Sequence, residues 1–78
     1  MFSSMKMVQV FKTDVQDQLS AAYIILFLRQ AFAHCRINFD LDDCDKILRI
    51  ENEQGAIEEG EVRLLVAGCG YYCEPLEG

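Results

Sequence analysis

Apolar and polar positions alternate at both ends and in the middle of this chain, and helical periods fill the gaps between. From Met5 to Phe11 the apolar residues Met5, Met7, Val8, Val10 and Phe11 surround Lys6 and Gln9, which predicts a strand over 6–12. A helix is expected next. Thr13-Asp14-Val15-Gln16 has the Thr-x-x-Gln spacing of a capping box, and Asp14 and Asp17 put negative charge in the first turn. Strong helix formers then run to about His34. Ile37, Phe39 and Leu41 alternate with Asn38, Asp40 and Asp42, a strand with one buried face, and Asp43-Cys44-Asp45 reads as a turn. Residues 46–51 return as a strand with Leu48 and Ile50 on one face and Ile47 and Arg49 on the other.

Asn52-Glu53-Gln54-Gly55 is a loop. A second helix is expected over 56–69, with Val62, Leu65 and Val66 inward. Gly60 weakens its middle by roughly 1 kcal/mol relative to alanine, and Gly68 or Gly70 ends it. Residues 71–76 form the closing strand, which Pro75 places at an edge or ends early. No linker, low-complexity tract or internal repeat interrupts this order, so residues 1–78 are expected to form a single domain. The order is β-α-β-β-α-β. With right-handed crossovers it gives an α+β, ferredoxin-like sandwich: a four-stranded antiparallel sheet with both helices on one face.

The first helix is too apolar for one buried stripe. Ala21, Ile25, Leu28 and Phe32 make one face, with Ile24 at its margin. Leu19, Tyr23, Leu26 and Gln30 lie nearly opposite, with Phe27 beside them. Two arrangements would cover that second stripe. One is a homodimer or partner-protein interface through Leu19, Tyr23, Leu26 and Phe27; the other is cover from the second helix, the N-terminal residues or a loop of the same chain.

Composition narrows the function. The chain is 51% hydrophobic and 26% charged, the balance of a globular domain rather than a disordered one. Net charge is −6, which repels nucleic-acid phosphates and anionic membranes alike, so neither is an expected partner. The start of the chain lacks a secretory leader's charged and apolar pattern. The run from Ala21 to Leu28 is far shorter than the roughly 20 residues that span a bilayer. A cytoplasmic protein is expected, with Cys35, Cys44, Cys69 and Cys73 reduced.

The candidate chemistry is sparse. Cys69 and Cys73 could together hold a soft metal, copper(I) or zinc, but two thiolates fall short of the four ligands of a structural zinc site, and an inward-facing strand position explains Cys73 without metal. Cys44 sits between Asp43 and Asp45, which oppose a reactive thiolate. His34 and Cys35 are adjacent and would point about 100° apart on a helix. Asp40, Asp42, Asp43 and Asp45 lack the spacing of a calcium loop, and Glu58, Glu59 and Glu61 suit a solvated helix start. There is no phosphate loop, serine elbow or paired-carboxylate site, so an enzyme is not expected and no catalytic residue is assigned.

The closing Gly70-Tyr71-Tyr72-Cys73-Glu74-Pro75-Leu76 resembles the glycine-aromatic ending of heavy-metal-associated domains, the fold of copper chaperones. Val8-Gln9-Val10-Phe11 is similar to their first strand, and residues 36–50 to their central hairpin; the same hairpin also resembles that of small bacterial proteins of this fold with no characterised role. The resemblance implies the ferredoxin-like fold over nearly the whole chain. It does not carry the family's metal site across. Metal-carrying members present Met-x-Cys-x-x-Cys between first strand and helix, where this chain has Lys12-Thr13-Asp14-Val15-Gln16-Asp17. The expectation is a non-enzymatic binding or interaction module on that fold, with a homodimer or another protein as partner. Soft-metal binding through Cys69 and Cys73, and sensing of a small metabolite at a dimer interface, are the alternatives.

Overall fold

A computed structural model describes residues 7–76; Lys6 of the expected first strand, Met5 of its alternating pattern and the start of the chain read for a leader lie outside the described residues. The elements are β1 (Met7–Thr13), α1 (Gln18–Ala31), β2 (Cys35–Asp40), β3 (Ile47–Asn52), α2 (Glu59–Gly68) and β4 (Cys73–Pro75). They form one antiparallel sheet in the order β2-β3-β1-β4, the arrangement expected of a ferredoxin-like βαββαβ sandwich.

Register explains the layering. Phe11 stands opposite Leu48, and Leu48 opposite Phe39; Ile50 stands opposite Gln9 and Ile37. These residues share one face of the sheet, because side chains alternate along a strand. Phe11, Ile37, Leu48 and Ile50 join Ala21, Ile24 and Leu28 of α1 and Val62 and Val66 of α2 in one buried cluster, so both helices cover that face. The other face carries opposed charges in register: Lys12 lies across from Glu74, and Arg36 across from Glu51.

The first helix starts later than its capping box predicts. Thr13 ends β1 instead, because its hydroxyl is already committed. It donates to the Lys46 carbonyl at 2.6 Å and accepts from the Val15 amide at 3.2 Å. The backbone amide of Thr13 also donates to the Asp45 carbonyl at 3.1 Å. Val15 drops into the core from the loop. The cap is Asp17, whose carboxylate accepts from the Ser20 amide at 3.0 Å and the Ser20 hydroxyl at 2.9 Å. The helix also stops short of His34. Phe32 turns its amide back to Leu28 at 2.7 Å, and Cys35 already belongs to β2. Its inward face is rotated from the expected one: Ile24 is fully buried with Ala21 and Leu28, while Ile25 and Phe32 are half-buried.

Thr13→Val tests the joint between β1 and the β2–β3 turn. The change keeps the side chain's shape and strands the Lys46 carbonyl and Val15 amide in a buried place. The expected cost is about 2 kcal/mol, seen as a lower urea midpoint at unchanged slope. An unchanged midpoint would show that the clasp contributes nothing.

The β2–β3 turn uses its carboxylates as expected of turn residues. Asp40 accepts from the Asp42 amide and Asp43 from the Asp45 amide, and Lys46 leaves the turn at φ 50°. The strand β2 accordingly ends at Asp40, two residues before its alternation does. The second helix begins at Glu59, three residues late, with Ile57 buried just ahead of it, and Leu65 is half-buried rather than fully inward. It ends in a Schellman reversal: Gly70, at φ 92°, donates to Ala67, and Tyr71 donates to Val66. That reversal shortens β4. The Tyr71 amide is held by the helix and the Tyr72 amide by Asp14 at 2.8 Å, so neither pairs with β1.

Candidate functional site

The outward face of α1 carries four of the large apolar side chains that are exposed among the described residues. Ile24 and Leu28 point into the core, so residues on the opposite side of a 3.6-residue period point to solvent. Those residues are Leu19, Tyr23 and Leu26, exposed by 82%, 55% and 60%, with Phe27 at their flank and also exposed. The Tyr23 and Phe27 rings lie 5.2 Å apart, tilted by 34°, so the stripe has an ordered aromatic centre. Among the described residues neither α2 nor a loop covers these four side chains; the start of the chain, the other expected cover, lies outside them. Helices α1 and α2 do touch, yet Leu19, Tyr23, Leu26 and Phe27 stay exposed among the described residues.

The cysteines are placed differently. Cys73 lies on the inward face of β4, 5% exposed, and burial pushes its thiol up to about 12. Cys69 caps the C-terminus of α2, half-buried, and its thiol is also raised by burial. The two belong to no group of three metal-ligating side chains among the described residues. Cys35, half-buried at the start of β2, is raised by burial as well. The group that does form is Asp43, Cys44 and Asp45, whose ligand atoms lie within 4.8 Å of one another in the exposed turn. Its aspartates have structural work in the turn itself.

This arrangement sets an order of reactivity. Iodoacetamide on the native protein is expected to label exposed Cys44 first, Cys35 and Cys69 more slowly, and Cys73 only after unfolding, because the thiolate is the nucleophile and burial suppresses it. Peptide mass spectrometry across a time course reads the order. Early labelling of Cys73 would contradict its placement.

The closing segment also makes contacts that spacing along the chain does not reveal. The Tyr71 hydroxyl donates to the Ser20 hydroxyl at 2.7 Å, and Ser20 donates in turn to Asp17. The Tyr72 hydroxyl donates to the Glu74 carboxylate, and that bond raises the phenol's pKa. Between α2 and β4 these tyrosines help form a cleft of about 360 Å³, with Gly60, Arg63, Leu64 and Ala67 along one wall and Cys73 at its base. Leu64 is largely exposed at the rim. The only hints of the cleft in the sequence are an apolar Leu64 off the inward face of α2 and a glycine without a turn at position 60. Among the described residues no helix is long and apolar enough to cross a membrane. No family model, curated protein or solved structure matches the chain.

Proposed function

We propose that this chain is a non-enzymatic interaction module that pairs with a second copy of itself through the outward face of α1. The supporting observation is the stripe of Leu19, Tyr23, Leu26 and Phe27, exposed among the described residues. Exposed apolar surface of this kind costs solubility unless something covers it.

A second copy is the partner that the charge pattern favours. The chain carries −6, so two copies repel over most orientations. The outward positions of α1, Leu19, Ala22, Tyr23, Leu26, Phe27 and Gln30, carry no charge. A two-fold contact must be complementary to itself, and an uncharged apolar stripe meets that condition. Four side chains on one helix supply less than the roughly 800 Å² per partner of a standard interface, so the pairing is a weak one, with dissociation on the order of micromolar. Multi-angle light scattering over a concentration series is expected to show mass rising from one chain to two. A monomer at every concentration, including the millimolar range, overturns the reading.

A further inference from the structure

The geometry points to the cleft between α2 and β4 as a binding site for a small monoanion with an apolar body, such as an aryl- or branched-alkyl carboxylate, its acid group on Arg63 and its body between Leu64, Ala67 and Tyr72. This site is separate from the α1 stripe and does not depend on self-association.

Three observations converge on it. The cleft is about 360 Å³, within the range of small-molecule sites, and its walls are mainly apolar. Arg63 lines it, and among the described residues this guanidinium makes no hydrogen bond or ion pair. A planar guanidinium facing an apolar cleft offers a carboxylate two parallel hydrogen bonds. Finally, Gly60 opens the wall. Its backbone has no positive φ, and a Cβ there would meet nothing within 4 Å, so neither conformation nor close packing requires glycine. Its missing side chain leaves the cleft empty at that end.

The surroundings also limit what fits. Burial is the largest influence on the Cys73 thiol and raises it; Arg63 lowers it, and Glu59 and Glu74 are near enough to raise it further. Acidic side chains thus neighbour the cleft without lining it, so a phosphate dianion meets more repulsion there than a carboxylate does. An added peptide strand is a poorer occupant. Leu76 donates to Val10 in the ladder, so the nitrogen of Pro75 faces the free edge of β4, where it has no hydrogen to give.

The test is a titration of the ¹⁵N-labelled protein, followed by amide shifts, with 3-phenylpropanoate, its neutral amide 3-phenylpropanamide, and phenyl phosphate as probes. Saturable shifts are expected with 3-phenylpropanoate at Gly60, Ala67, Tyr72 and Cys73. The neutral amide is expected to bind at least about tenfold more weakly, and phenyl phosphate more weakly than the carboxylate. Arg63→Gln should reproduce the tenfold loss. Gly60→Leu should abolish binding by filling the cleft, with thermal stability unreduced because the new side chain enters open space. No saturable shift, equal binding of the neutral amide, shifts confined to the α1 stripe, or binding that survives Gly60→Leu would each overturn the assignment.

Discussion

Tyr23→Glu combined with Leu26→Glu is expected to yield a protein that is folded, no less stable than the parent at low concentration, and monomeric throughout the concentration range. Both side chains are more than half exposed in the single chain, so their loss removes nothing from the core cluster. In a two-fold pairing each copy would bring two carboxylates into the contact, and four unpaired charges would lose water together. Burying even one unpaired charge costs several kcal/mol, against the roughly 8 kcal/mol that holds a micromolar dimer. A linked signature separates this outcome from misfolding. The parent's melting temperature should rise with protein concentration, since pairing stabilises only the folded chain, and the variant's should not. A variant that still pairs at the parent's concentration would move the interface off α1.

Phe11→Ala is expected to be the most damaging single change to the fold. Phe11 is fully buried on the central strand β1, between Leu48 of β3 and Pro75 of β4 in register, and beneath both helices. Emptying such a site costs about 3–5 kcal/mol, part in lost transfer energy and part in the cavity left behind. Domains have about 5–15 kcal/mol in all, and a chain of 78 residues buries a smaller share of its surface than a larger one. Most of the stability should therefore go. Phe39→Ala is the comparison: Phe39 is only half-buried, so its loss should cost clearly less. Urea unfolding followed by far-ultraviolet circular dichroism measures both. Equal effects would mean that β1 does not carry the core.

Much of this architecture is legible in the chain because its strands alternate cleanly. Ile37 and Phe39, and Leu48 and Ile50, announce which face of the hairpin is buried, and Gly70 announces the end of α2. Two misplaced boundaries, the start of α1 and the start of β4, involve bonds to residues far along the chain. Thr13 looks like a cap from its neighbours, yet its hydroxyl goes to Lys46. Tyr71 and Tyr72 look like strand, yet their amides go to Val66 and Asp14. The α1 stripe was readable because it needs only the period of a helix and a surplus of apolar residues. The cleft was not, because Gly60, Arg63 and Leu64 meet Tyr72 and Cys73 only after the Schellman reversal folds β4 back beside α2.

The placing of β1 has a consequence for how the chain comes into being. Among the described strands β1 comes earliest in chain order and ends up inside the sheet, but its two neighbours, β3 and β4, come later. As the chain grows, Val10 and Phe11 wait with their backbone unpaired on one side until the hairpin arrives, and on the other until β4 and Leu76 do. Unpaired strand edges with apolar side chains are where nascent chains stick to each other. Strand β4, only three residues long, thus acts in time more than in energy: it closes the edge of β1 that waits longest among the described strands.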